Sequence, residues 1–71
     1  MRIISQSGSV DVNYTRCVLE VYENHIKAVV GDKHYDLAQY PNHERVKEVM
    51  KDLHYHWTYY SGNRIFRFPE N

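Results

Sequence analysis

The sequence predicts an α+β fold: an antiparallel meander sheet of about five to six strands, packed on one face by a single long helix. Two observations favour this fold class. Three segments with alternating apolar residues are separated by two-residue turn signals, and one longer tract repeats its apolar residues at helical spacing. The 71 residues are the size of one domain, which we place at residues 1–71.

The predicted strands follow the turn signals along the chain. We expect strands at residues 2–6, 10–12, 16–22, 25–30, 33–39 and 64–68, with the helix at residues 42–60 before the last strand. Glu23 and Asn24 form one two-residue turn, while Gly31 and Asp32 form a second.

The two turns also fix the register of the meander. One face should then carry two apolar rows: Val21, Ile26 and Leu37, and beside them Leu19, Ala28 and Tyr35. The opposite face should carry a charge ladder of Glu20, Lys27 and Asp36. An apolar row and a charge ladder arising from the same two turns support the meander.

The helix has a clear start and a wide apolar stripe. Pro41 disfavours helix at Tyr40, Asn42 is a suitable N-cap, and Gly62 suits the position just past the helix end, followed by Asn63. At roughly 100° per residue, one stripe should cover the core. Its members are Val46, Val49, Met50, Leu53, Trp57 and Tyr60. Tyr55, Tyr59 and His54 fall outside the stripe, so we expect these rings to be available to a partner.

Composition excludes several classes of protein. Nine basic and nine acidic residues cancel, so the chain lacks the positive field of a general nucleic-acid binder. No apolar run approaches the ~20 residues of a membrane span, and the polar N-terminus does not resemble a signal peptide. Cys17, the only cysteine, is predicted to be a small buried apolar residue. These features indicate a cytoplasmic protein.

Several short motifs resemble those of a known family. The chain opens MRIISQ, continues with Asp11, Val12 and Tyr14 as DV-x-Y, and closes with F-x-F-P-E at residues 66–70. It is similar to a family of small uncharacterised proteins of Firmicutes bacteria and their phages, whose members begin MRIISQDG and end near F-x-F-P. Ser7 and Asn13 depart from that pattern, and relatives usually add an acidic tail. The resemblance implies a phage or mobile-element context and no activity.

Catalytic and metal-binding patterns are missing from the sequence. His54 and His56 are two residues apart on a helix, roughly 200° apart, and cannot bind one ion together. No serine lies in a nucleophile elbow, and no glycine-rich phosphate loop is present. We therefore expect a protein that is not an enzyme and that needs no metal or cofactor.

Binding is the better-supported role. Tyr55 and Tyr59 lie one turn apart, and cationic or hydrogen-bonding groups flank them. Aromatic faces stack on bases, whereas cations hold phosphate. The predicted ligand-binding residues are Lys51, His54, Tyr55, Tyr59, Arg64 and Arg67. The same tyrosines suit a subunit interface equally well.

The leading hypothesis is a phage-type anti-defence sponge that sequesters a nucleotide-derived immune signal. The alternative is a protein-interaction module that inhibits or adapts a host protein. A third is a single-stranded nucleic-acid binder using residues 64–68, against which the neutral charge argues. Val18, Tyr22 and Val29 make the outer sheet face partly apolar, so we also expect a homo-oligomer, formed through this face or through the edge strands.

Overall fold

The chain folds as six short strands and one helix, in the order expected. The computed structural model describes residues 1–60 and 64–71. The elements are β1 (Arg2–Ile4), β2 (Asp11–Asn13), β3 (Val18–Tyr22), β4 (His25–Val30), β5 (Lys33–Gln39), α1 (His43–Tyr59) and β6 (Ile65–Arg67).

The strands form two three-stranded sheets rather than the one larger sheet that the sequence predicted. One sheet has the order β3-β4-β5 and is the expected antiparallel meander. The other has the order β2-β1-β6, in which β1 pairs antiparallel with β2 and parallel with β6. The prediction of a single sheet failed because β1 pairs with β6, where Ile3 meets Phe66, and no local turn specifies a pairing between segments so distant in sequence.

The start of β3 also differs from its prediction. Residues 14–16 form a 3-10 turn, and β3 begins only at Val18. The cause is local, because the Asn13 side chain accepts hydrogen bonds from the backbone N–H of Thr15 (3.0 Å) and from its hydroxyl (2.9 Å). An asparagine that satisfies the next backbone donors in this way favours a turn over a strand.

The register of the meander matches the prediction except at one bulge. Val21 pairs with Ile26, and Lys27 lies between Glu20 and Asp36. Ile26, however, pairs with Ala38 instead of Leu37, because the ladder shifts by one residue between Ile26 and Lys27. Both Leu37 and Ala38 are buried as a result.

The charged side chains of the predicted ladder share one face, but Glu20 pairs with His34 instead of Lys27. Lys27 Nζ lies 3.9 Å from Asp36 Oδ1, whereas Glu20 Oε1 lies 3.9 Å from His34 Nδ1. All of these side chains are at least a third exposed, so each pair contributes little to stability.

A hydrogen bond at the bulge connects β5 to the chain that follows β1 in the other sheet. The Leu37 carbonyl accepts a hydrogen bond from the Gln6 N–H at 2.8 Å. The Gln6 side chain then continues the contact along β5, since its Oε1 accepts from the Gln39 N–H at 2.8 Å. Its Nε2 donates to the carbonyls of Gln39, Pro69 and Glu70, at 3.2, 2.9 and 3.1 Å. One glutamine thereby joins β5 to residues 68–71, which we call the C-terminal segment.

Two further side chains hold the C-terminal segment in place. The Tyr40 hydroxyl donates to the Pro69 carbonyl at 2.7 Å, and Tyr40 is only 3% exposed. Arg45 donates to the Asn71 carbonyl through Nε at 2.9 Å and through Nη2 at 2.6 Å. The Phe68 N–H donates to Ile4 at 3.1 Å, so the segment is anchored from both sheets and from α1.

Helix α1 begins as predicted and packs most of its stripe into the core. The Asn42 side chain accepts from the Arg45 N–H at 2.9 Å, which makes Asn42 the N-cap. Val46, Val49 and Leu53 are fully buried. The predicted helix end at Gly62 and Asn63 lies outside the described residues.

Tyr60 is the member of the predicted stripe that does not cover the core. It is 44% exposed, because it is the C-cap of α1 with φ −130° and ψ 37°. Helical spacing therefore no longer sets the direction of its ring.

A single core lies between α1 and the two sheets. Its buried members are Met1, Ile3, Ile26, Ala28, Leu37, Ala38, Tyr40, Val46, Val49, Leu53, Phe66 and Phe68. Met50, Trp57 and Cys17 pack against it while partly buried. Burial raises the pKa of the Cys17 thiol, and its Sγ lies 3.8 Å from the Tyr14 carbonyl. Cys17 is thus a half-buried apolar residue, close to its prediction.

Candidate functional site

Three tyrosines at the end of α1 form an exposed aromatic surface, which we call the tyrosine patch. Tyr55, Tyr59 and Tyr60 are 51%, 67% and 44% exposed. The Tyr55 ring centroid lies 4.7 Å from that of Tyr59 and 6.1 Å from that of Tyr60. Tyr55 and Tyr59 are directed outward as predicted, because four residues of helix return them to the same flank, opposite the core stripe.

The patch borders an open cleft of about 400 Å³ between α1 and the start of β6. Its lining side chains come from both elements: Asp52, Tyr55, His56, Tyr60, Arg64 and Ile65. The Arg64 guanidinium carbon lies 5.9 Å from the centroid of the Tyr60 ring. This distance is within the range of a cation–π contact, so one wall presents a ring and a positive charge together.

Two polar side chains complete the cleft. The His56 Nδ1 lies 3.1 Å from the Asp52 carbonyl oxygen and 3.9 Å from its Oδ1. The ring of His56 also packs edge-on against the buried Phe66, with centroids 5.1 Å apart. Phe66 belongs to β6, so this contact sets the position of the helix end against the strand. The Asp52 carboxylate can accept hydrogen bonds from a ligand.

A second hollow of about 390 Å³ adjoins the cleft along α1. It is lined by Glu48, Lys51, Asp52 and Tyr55, and it shares the last two with the cleft. Lys51 therefore lines one hollow and Arg64 the other, and Tyr55 lines both. An elongated ligand lying across this ring would meet a cation at each end.

The six predicted binding residues divide among several places. Lys51, Tyr55 and Arg64 line the two hollows, whereas Tyr59 packs against Tyr55 without lining either one. His54 lies on the other flank of α1, in a groove beside β3. Arg67 lies further along β6.

Arg67 belongs to a separate charged cluster. The Arg2 guanidinium pairs with the Asp11 carboxylate, with Nε 3.1 and 3.2 Å from its two oxygens. This hydrogen bonding is the main reason why the pKa of Asp11 lies below its usual value, and the charge of Arg67 lowers it further. Arg67 thus interacts electrostatically with Asp11, away from the tyrosine patch.

Sequence reasoning missed four members of the cleft. Asp52 and His56 are one helical turn from Tyr55 and Tyr60, so their spacing could have indicated them. Tyr60 was assigned to the core stripe, which hid its role in the patch. Ile65 gave no signal, because an apolar residue in a strand is usually taken as core.

Two rings of the predicted nucleic-acid segment, residues 64–68, are buried. Phe66 and Phe68 are each only 3% exposed, and their rings pack edge to face at 5.3 Å. Bases have no access to either face of these rings in this fold. The third hypothesis therefore loses the aromatic platform on which it rested.

A further open cleft of about 430 Å³ is lined in part by Asp11, Arg16 and Tyr35. It shares no lining residue with the tyrosine patch.

No group of three or more His, Cys, Asp or Glu side chains in residues 1–60 and 64–71 could hold a metal ion. Over the same part of the chain, α1 does not have the length and apolar character needed to cross a bilayer. Comparisons with protein-family models, curated proteins and solved structures find no match to the chain.

Proposed function

We propose that this chain is a non-enzymatic binding protein that takes a nucleotide-derived ligand at the tyrosine patch. The observation that carries the proposal is the cleft itself, where the exposed Tyr55 and Tyr60 rings stand beside the Arg64 guanidinium. A nucleotide needs both kinds of group, since its base stacks on an aromatic face and its phosphate pairs with a cation.

Each part of such a ligand has a counterpart in the two hollows. The base would stack on Tyr55, with Tyr59 supporting that ring from its other side. Arg64 and Lys51 would hold phosphates on either side of Tyr55. The Asp52 carboxylate would accept hydrogen bonds from the N–H groups of the base edge.

Stacking contributes about 1–3 kcal/mol per base, and a charged hydrogen bond contributes about 1.5–3 kcal/mol. Association itself costs several kcal/mol, so an open cleft on one copy supports affinities near the micromolar range. Tighter binding would require a second copy to close the cleft. Separately, we propose a homo-oligomer through the outer sheet face, where Val18 and Tyr22 are exposed.

Sequestration without turnover is the proposed mode of action. Among the described residues, the lining of the cleft includes no serine or cysteine. The resemblance to phage proteins supports an anti-defence sponge in the cytoplasm of a bacterial host. The sponge would lower the free concentration of an immune signal such as a cyclic nucleotide or an ADP-ribose derivative.

Calorimetric titration against a panel of cyclic nucleotides and ADP-ribose derivatives tests the proposal. We expect micromolar binding of at least one compound, weakened about tenfold or more by Tyr55→Ala and by Arg64→Ala. His34→Ala, on the outer sheet face, is the matched control and should bind like the parent. Chromatography of the released ligand should recover it unchanged, whereas a cleaved product would show an enzyme. The absence of any binding at 100 micromolar (on the order of a weak nucleotide site) would refute the sponge.

A protein-interaction module remains the alternative, and the exposure of Tyr59 favours it. Tyr59 is the most exposed of the three patch rings, and tyrosine is enriched at protein interfaces. Under this alternative, Tyr59→Ala should weaken a stoichiometric complex with a host protein that co-purifies with the chain, while leaving the fold intact.

A further inference from the structure

One edge of the meander sheet is open. In the order β3-β4-β5, the outer edge of β5 is occupied by Gln6, whereas no described residue outside the β3–β4 hairpin donates a backbone hydrogen bond to β3. Because Tyr22 and His25 close a two-residue hairpin, hydrogen-bonded pairs recur at alternate residues from Tyr22. The backbone groups of Leu19 and Val21 therefore point away from β4.

An apolar groove runs beside this edge, on the helix side of the sheet. It has a volume of about 470 Å³. Val21, Val46 and Met50 form its apolar part, and its other lining residues are His43, Lys47, Lys51 and His54. The side chain of Val21 is 43% exposed, although its strand neighbour Ile26 is fully buried. A further strand on this edge would direct its alternate side chains into the groove.

We propose that β3 and this groove bind an extended acidic segment of a partner protein, which adds to the meander as a fourth strand. Backbone hydrogen bonds to Leu19 and Val21 would give affinity, and alternate side chains would enter the groove. In the proposed partner segment, the central side chain that faces the groove is apolar, so that it fits against Val21 and Met50. Those on either side of it are acidic, to pair with Lys47 and Lys51. Outward-facing side chains are neutral, because Glu20 lies on that face.

Charge argues against a second copy of this chain as the occupant. Pairing β3 with its own copy about a two-fold axis places both helices on the same face of the joined sheet. The two grooves would then face each other, each with Lys47 and Lys51 along its rim. Like charges across a strand pair are destabilising, so an acidic partner is favoured.

The test is a titration of the full chain, isotopically labelled, with a capped Thr-Glu-Thr-Val-Thr-Glu-Thr peptide, followed by amide NMR. We expect saturable shifts and slowed exchange at the Leu19 and Val21 amides. A capped Thr-Lys-Thr-Val-Thr-Lys-Thr peptide is the matched control and should not bind. Lys47→Glu should weaken the acidic peptide by about fivefold or more, because it reverses one rim charge. Lys47 lies at an exposed helix position outside both nucleotide hollows, so this variant folds and leaves the nucleotide titrations unaffected.

A second variant tests the backbone contact. Val21→Pro removes the N–H that points away from β4 and keeps an apolar side chain, so it should abolish the shifts. Four results would overturn the proposal. They are no shift at millimolar peptide, equal binding of both peptides, shifts confined to the tyrosine patch, and concentration-dependent shifts of Leu19 and Val21 without peptide. The last of these would place a second copy on the edge.

Discussion

Gln6→Ala should destabilise the fold far more than an ordinary substitution of a partly exposed residue. The side chain of Gln6 accepts one hydrogen bond from Gln39 and shares two donated protons among the carbonyls of Gln39, Pro69 and Glu70. These bonds join β5 to the C-terminal segment. Their removal frees both strand ends at once.

The magnitude follows from the number of bonds. Two to three net hydrogen bonds at about 1 kcal/mol each, reduced by the water that can reach a half-buried site, give a loss of about 2 kcal/mol in the free energy of unfolding. For a domain of this size each kcal/mol corresponds to about 4–8 °C in Tm. We therefore expect Tm to fall by about 8–16 °C.

Thermal unfolding followed by circular dichroism measures the change, with urea unfolding as a second readout. Gln39→Ala is the matched control, because the Gln39 contacts to Gln6 are made by its backbone, and its Tm should stay close to that of the parent. In Gln6→Ala the Gln39 amide should also exchange faster with solvent. A Tm within about 3 °C of the parent would show that water replaces these bonds at no cost, which refutes the reasoning.

Three further predictions concern single sites. Glu23 adopts φ +54° in the first hairpin turn, a backbone conformation that costs energy for any residue other than glycine. Glu23→Gly should therefore raise the free energy of unfolding, measured in urea, by about 0.5–1 kcal/mol. A loss of stability would contradict the inferred strain. Burial raises the pKa of the Cys17 thiol. At pH 8, iodoacetamide should therefore alkylate Cys17 several-fold more slowly in the folded protein than in the urea-unfolded chain. Equal rates would contradict its burial. Arg2 lowers the pKa of Asp11, so this contribution to stability is present above pH ~4 and is lost as the pH falls through the lowered pKa. Asp11→Asn should therefore flatten the acid side of a stability-against-pH curve, and an unchanged curve would show that the pair contributes nothing.

The meander could be predicted because its information is local. Two turns separated by one strand fix which residues face each other, and the observed pairs of Lys27 agree with those turns. The bulge at Leu37 could not be found in this way. It depends on a hydrogen bond from Gln6, which is 31 residues away along the chain by the numbering of the two residues.

The tyrosine patch was predictable in part for the same reason. Helical spacing alone directs Tyr55 and Tyr59 away from the core, as the structure shows. The periodicity fails at Tyr60, because the helix ends one residue earlier. Arg64 and Arg67 are three residues apart, a spacing that points to opposite faces of a strand, so sequence alone could have separated them.

The parallel pairing of β1 with β6 has a consequence for biosynthesis. Ile3 on β1 is fully buried, and its partner Phe66 follows 63 residues later (66 minus 3) in the sequence. Contacts this distant in sequence form late and slowly. A ribosome must release residues 65–67 before β1 acquires its second neighbour, so until then one edge of β1 stays open to chaperones and proteases.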